Sequence, residues 1–316
     1  MKGKAPGRAD RTGISLVELF EMFPDDETAE RWFVEQRWPD GVRCPDCQSA
    51  NVQERATRKP QPYRCRACRK DFSVKTGTLM HASKLGCRLW VLAIYLMSTS
   101  LKGVSSMKLH RDLGVTQKTA WHLAHRIRES WVDGQAEAFC GPVEVDETFV
   151  GGKEANKHAH KKLNAGRGIV GKEVVAGARD RATGKIAARH VGDTTAPILV
   201  GMVKDTTAEG AMVFTDEHAA YRHLPRFGFA HRTVRHSVGE WVDGQAHTNG
   251  IESFWAMLKR GYHGTYHQVS PKHLGRYVAE FAGRHNQRPM HTADQLERMA
   301  AQLDGRRLPY DMLISN

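Results

Sequence analysis

The sequence predicts a multidomain chain: two small units followed by a larger α/β domain. Three observations point there. The 316 residues exceed the about 100–200 of one ordinary domain. Two Cys-x-x-Cys pairs, Cys44–Cys47 and Cys65–Cys68, lie near the front, separated by 17 residues. From Gly141 onward, β-branched runs alternate with glycines, after a stretch that reads as helical. The expected segments are residues 1–40 (helical), 41–76 (cysteine ribbon), 77–135 (helix-turn-helix), 141–290 (α/β) and 291–316 (helical tail).

Composition excludes some classes. Hydrophobic residues make up 40%, enough for packed cores. No uncharged apolar run approaches the about 18 residues of a membrane span. The most apolar stretch, Leu89 to Met97, reads as a buried helix. The first residues, MKGKAPGRADRTG, lack the apolar core of a signal peptide, so a cytoplasmic protein without a membrane partner is expected. Charge is unevenly placed. Residues 41–128 hold 17 Lys and Arg against 4 Asp and Glu, a balance of +13, whereas the whole chain carries +12. A basic excess confined to one segment favours a polyanionic partner.

The two cysteine pairs supply four soft ligands, the set that tetrahedral Zn²⁺ takes in structural sites. Cys44, Cys47, Cys65 and Cys68 are therefore read as a zinc ribbon, with Tyr63 and Phe72 packed over it. Disulfides are not expected in a cytosolic chain. A single redox Cys-x-x-Cys leaves the second matched pair unexplained. Cys87 and Cys140 are expected to be ordinary buried thiols. The ribbon hairpin also carries Arg55, Arg58, Lys59, Arg64, Arg66, Arg69 and Lys70, of which Arg64, Arg66, Arg69 and Lys70 are expected to meet DNA.

A helical segment is expected from about Leu85 to Trp131. Within it, residues 105–121 have helix-turn-helix form. Ser105 or Ser106 caps the first helix, Met107, Leu109 and Leu113 form its apolar face, and Gly114 takes the positive φ of the turn. Thr116 caps the second helix, whose Ala120, Leu123, Ala124 and Ile127 fall at core spacing. Its polar face offers Gln117, Lys118, His122, His125, Arg126 and Arg128. Such a helix suits a DNA major groove, with Gln117, Lys118, His122 and Arg126 as the expected contacts.

Strands are then expected at 143–150, 169–179, 185–191, 211–215 and 231–237, with a polar loop over 153–167. Helices are expected at 197–204 and from about 218 to 223. Further helices should run from Thr248 (as cap) to about 260, from Ser270-Pro271 to about 284, and briefly before Asp304-Gly305. Three acids stand out by context. Asp146 lies within a strand, Asp216 just beyond one, and Glu252 on a helix. Asn249 and Lys259 lie three residues before and seven after Glu252, on the same helical face. Enzymes that transfer phosphoryl groups on DNA need carboxylates that converge on two Mg²⁺ ions. Glu144, Glu147 and Glu217 are nearby competitors. Mg²⁺ favours a carboxylate over an amide, which prefers Glu252 over Asn249. Lys259 is read as a phosphate holder, and Trp255 as a core residue.

The stretches VEVDETFVGGK (143–153), FTDE (214–217), HTNGIESFWAMLKRG (247–261), GTYH (264–267) and SPKHL (270–274) resemble the transposases of insertion-sequence family 1595, as do the cysteine pairs. The resemblance implies a zinc ribbon followed by a DDE catalytic domain of ribonuclease-H-like fold with a mixed sheet. It implies Asp146 and Asp216 as metal ligands, with Glu or Asn third, so that Glu252 and Asn249 both stay in play. It implies Mg²⁺ as catalytic ion, with Mn²⁺ as a substitute, and binding as an oligomer to the element's terminal inverted repeats and to target DNA. A zinc-dependent regulator of DNA, or a nuclease that never joins strands, are the alternatives. Retention of all three acids and Lys259 argues against the first.

Overall fold

A computed structural model describes residues 13–55, 57–132, 138–152, 158–163, 169–234 and 247–315. The chain divides into two compact units. One comprises residues 1–133 together with 287–316, and the other comprises 134–286.

The first unit opens with α1 (Leu16–Met22), started by a capping box of Ser15 and Glu18, and α2 (Asp26–Arg37), capped by Asp25. A small antiparallel sheet follows, with β1 (Val52–Glu54), β2 (Tyr63–Cys65) and β3 (Asp71–Phe72) in that order. Next is α3 (Cys87–Thr99), which buries Trp90, Val91, Ala93, Ile94 and Met97, as its apolar run predicts. The helix-turn-helix is α4 (Ser106–Leu113) and α5 (Gln117–Glu129). Ser105 accepts from the Lys108 N–H, Gly114 sits at φ 64°, and Thr116 accepts from the Thr119 N–H. Each of these is a local device, readable from neighbouring residues alone. Met107 departs from expectation: it is exposed, and α4 buries only Leu109 and Leu113.

The second unit is built on a five-stranded sheet. Its strands are β4 (Val143–Val150), β5 (Glu173–Asp180), β6 (Ile186–Val191), β7 (Met212–Thr215) and β8 (Ala230–Thr233), in the order β6-β5-β4-β7-β8. β4 pairs antiparallel with β5 and parallel with β7, and β7 pairs parallel with β8. This is a mixed sheet of ribonuclease-H-like order. On one face lie α6 (Ala196–Thr206) and a 3-10 helix, Ala219–Phe227. On the other lie α7 (Asn249–Gly261) and α8 (Pro271–Gln287). β4 alternates cleanly between these layers: Val143, Val145 and Phe149 pack against the first, Val150 against the second. The strand expected to reach 237 ends at Thr233, and residues 235–246 lie outside the described residues, as do 153–157 and 164–167 of the expected loop. Residues 159–161 form one 3-10 turn.

The chain then returns to the first unit with α9 (Thr292–Ala301) and α10 (Tyr310–Ile314). Leu79 N–H donates to the Leu303 carbonyl at 2.9 Å, and Arg37 pairs with Asp304 at 2.7 Å. These contacts tie the returning segment to α2 and to the chain just after the ribbon. No described helix is long and apolar enough to cross a membrane.

Candidate active site

The four ribbon cysteines converge. Their sulfurs all lie within 4.8 Å of one another, with Cys44–Cys68 and Cys47–Cys65 both at 3.6 Å. The residue after each pair, Gln48 at φ 59° and Arg69 at φ 62°, takes the left-handed turn that folds the loop back on its sulfurs. The Cys68 N–H donates to the Cys65 sulfur at 3.4 Å and lowers that thiol's pKa, whereas burial and the neighbouring sulfurs hold Cys47 and Cys68 up, so the four thiols ionise together only around a cation. Tyr63 and Phe72 cover the cluster with Cys44 and Cys65, and Trp38 adds edge-on contacts at 6.0 Å to both rings. The donor set fits Zn²⁺. Cys87 is buried, as expected, but Cys140 is exposed, because its neighbour Phe139 is the residue that turns into the core there.

The basic residues sort into two groups. Arg55, Arg58 and Arg64 gather around Asp71 at 2.5, 3.5 and 3.0 Å, and Lys70 pairs with Asp46 at 2.8 Å. Arg66 and Arg69 are exposed. On α5, the polar face is largely covered by the returning segment. His122 Nε2 and Arg126 Nε both meet the Leu308 carbonyl, at 3.0 and 3.2 Å, and Lys118 Nζ lies 4.5 Å from the centre of the Tyr310 ring. Gln117 donates to the Ser106 hydroxyl at 3.0 Å. His125 and Arg128 are fully buried rather than part of an open polar face. Thr116, Gln117 and Lys118, at the start of α5, are its exposed stretch.

In the second unit, β4 and β7 set the acids. Val143 pairs with Val213 and Glu144 with Phe214. Continued by two residues, that parallel register brings Asp146, in the middle of β4, level with Asp216, the residue just past the end of β7. Burial, then the charges of Glu147 and Asp216, push the Asp146 carboxyl up to about 7. Trp255 Nε1 donates to Asp146 Oδ2 at 3.0 Å. Asp216 accepts from the His218 N–H at 3.0 Å. Lys259 is half-buried. Desolvation lowers its pKa, Asp146 opposes that shift, and Lys172 adds to it. The stripe Glu252–Trp255–Lys259 thus carries at least two side chains that address Asp146. Glu252 accepts from the Thr248 hydroxyl at 2.9 Å, while Asn249 is exposed in the first turn. Among the described residues, only the cysteines form a cluster of three or more ligand atoms within 4.8 Å; the acids do not. Two carboxylates on neighbouring strands, one raised by burial and like charge, are nonetheless the oxygen donors that a hard divalent cation takes.

The competing acids have other partners. Glu147 turns to the opposite face of the sheet, where the buried Tyr221 hydroxyl donates to it at 2.7 Å. Burial raises both groups. Glu144 is fully buried. It accepts from Arg181 Nε at 2.9 Å, from Arg179 at 3.4 Å and from the Ile251 N–H at 2.8 Å. That last bond corrects the expected cap. Thr248 gives no cap bond, because a strand carboxylate already takes an N–H of the first turn and the Thr248 hydroxyl turns to Glu252. Sequence reading missed Tyr221, the role of Glu144 at the start of α7 and the polar role of Trp255. Their partners lie far along the chain, so no local spacing marks them.

Fold and cysteines together define a class: a zinc-ribbon protein whose second unit has a ribonuclease-H-like fold. Residues 139–286 match the ISXO2-like transposase domain, and residues 24–71 match the transposase zinc-ribbon domain. A protein of transposable element ISH50 of Halobacterium salinarum, itself described as uncharacterized, is 29% identical over 277 residues, spanning 83% of this chain and 91% of that protein. Both matched domains belong to insertion-sequence family 1595 and together cover more than half of the chain, which places the chain in that family.

Proposed function

We propose that the chain binds the terminal inverted repeats of an insertion sequence and catalyses metal-dependent DNA cleavage and strand transfer. The observation that carries this reading is the parallel register of β4 and β7, which sets Asp146 within β4 beside Asp216 just past β7, next to a helix that presents Glu252, Trp255 and Lys259. Asp146, Asp216 and Glu252, with Asn249 as the alternative, would hold two Mg²⁺ ions. When bound, these ions supply charge stabilisation at the attacking and leaving oxygens.

The protein's own residues do the positioning. Trp255 orients the Asp146 carboxylate. Lys259, partly desolvated, offers a cation to a phosphate oxygen beside it. Water first attacks the phosphodiester at the element's end and releases a 3′-hydroxyl. That hydroxyl then attacks a target phosphodiester, forming one P–O bond as another breaks, with no covalent protein–DNA link. Arg66, Arg69 and the start of α5 supply the DNA contacts best exposed for that role.

The test is a strand-transfer assay with labelled terminal repeats, Mg²⁺ and a target plasmid. Asp146→Asn and Asp216→Asn should each abolish cleavage and joining while end binding persists. Wild-type activity in either variant would refute the site. Cleavage without joining by the unaltered protein would make it a nuclease instead.

A further inference from the structure

We propose that Trp255 is a positioning residue that fixes the Asp146 carboxylate for its metal, and that Gly177 is the space that admits the indole. The inference rests on the reading of Asp146 given above. Trp255 is buried on the face of α7 that packs against the sheet, and its Nε1 reaches Asp146 Oδ2 at 3.0 Å. Packing alone asks only for an aromatic ring; the N–H needs an acceptor, and here the acceptor is the candidate ligand itself. Gly177 stands directly opposite Asp146 on β5. A Cβ at Gly177 would lie 2.5 Å from Trp255 Cη2 and 2.7 Å from Cζ2, closer than real contacts allow. The strand therefore lacks a side chain at the β5 partner of Asp146, and the indole occupies the vacated volume.

A second bond sets the register. Glu144, two residues before Asp146 on the same strand face, accepts from the N–H of Ile251, four residues before Trp255. Two strand residues advance about 6.6 Å and four helix residues about 6 Å, so the two bonds match in spacing and direction. A slip of α7 by one residue breaks both. Because Glu252 and Lys259 ride on this helix, the same two bonds fix where they stand relative to Asp146. Hydrogen bonds to ligating side chains hold them in their coordinating orientation, and their loss weakens metal binding by about 10- to 100-fold.

The experiment uses the full-length, zinc-loaded protein. Trp255→Phe keeps the ring over Gly177 and removes only the N–H. Direct Mn²⁺ binding, followed by the paramagnetic resonance of the free ion, should weaken by about tenfold, with the Mg²⁺ requirement for cleavage rising in step. Activity should return toward wild type at saturating metal, and end binding should not change. Gly177→Ala keeps the N–H but displaces the indole, and should give the same shift. A purely structural role predicts instead a lowered melting temperature with unchanged Mn²⁺ affinity, and that result overturns the proposal. Should Trp255→Phe not fold, labelled indoles in the unaltered protein decide. An indole N–H resonance that moves with Mg²⁺, but not in Asp146→Asn, supports the lock, and its absence overturns it. Asp146→Asn run alongside separates the two levels. If Asp146→Asn cleaves normally, the active-site reading fails. If it is dead while Trp255→Phe binds Mn²⁺ like wild type, only the lock fails.

Discussion

Glu144→Ala probes the joint between β4 and α7 most directly. The native side chain is fully buried, with two arginines on one oxygen and the Ile251 N–H on the other. Removing one partner of a buried ion pair costs about 3–5 kcal/mol, because the remaining charge loses its compensation. Here the side chains of Arg179 and Arg181 keep 25% and 15% of their exposure, so water recovers part of that loss. The Ile251 N–H has no such relief, and an orphaned buried donor costs about 1–3 kcal/mol. A total of about 4 kcal/mol follows, the arginine part taken near its lower bound. In a domain of this size each kcal/mol moves the midpoint by about 2–4 °C, so the second unit should melt about 8–16 °C lower. Calorimetry of the full chain reads this as a shift in one transition, with the zinc-ribbon unit unmoved. Glu144→Ala combined with Arg181→Ala should cost less than the sum of the two single changes, since the double variant leaves fewer charges stranded. A midpoint within about 2 °C of wild type would refute the reasoning, and would mean that the arginines already rely on solvent.

The remaining predictions concern metals, ligands and protons. Freshly purified protein should carry one zinc, and Cys44→Ser should lose it by elemental analysis, with end binding weakened and the second unit still folded. Glu252→Gln should abolish cleavage in Mg²⁺ and recover in part in Mn²⁺, whereas Asn249→Ala should retain most activity; the reverse pattern moves the third ligand to Asn249. The Asp146 pKa is raised to about 7, so the stability linked to this group is fully present below its ordinary value near 4 and is lost as pH climbs toward 7. In zinc-loaded protein without Mg²⁺, Asp146→Asn should therefore melt higher than wild type at pH 8 and no higher at pH 4. Equal midpoints at pH 8 would place Asp146 in a wetter setting than the structure gives it.

Much of the fold is legible in the sequence where the cause is local. Ser105, Gly114 and Thr116 act on residues within one turn, and each takes its expected part. The cysteine spacing suffices for the ribbon because the two turns repeat the same geometry. Legibility ends where a residue's partner is distant. The polar stripe of α5 reads as an open DNA-facing surface, yet His122 and Arg126 bond a carbonyl about 180 residues later, and Arg128 is buried. Thr248 has the sequence of a cap, but Glu144 reaches that helix start from more than 100 residues away. Asp146 and Asp216 were recognisable as candidates from their strand contexts. What could not be read is the indole over Gly177 that holds the first of them, because a glycine opposite an aspartate carries no mark in the sequence of the helix that will cover it.

The first unit is made of two pieces of chain, and this sets an order of manufacture. The whole of residues 134–286 leaves the ribosome before the segment that supplies Leu303, Asp304 and Leu308 to the helices of the first unit. At about 5–20 residues per second the gap lasts on the order of 10–30 s. Throughout it, α2 and α3 lack their neighbour α9, and α5 lacks the carbonyl that holds His122 and Arg126. The second unit can close while the first waits. A nascent chain thus completes its first unit only after the second is already made, and a chain that stops short of residue 287 leaves a finished second unit attached to an unfinished first.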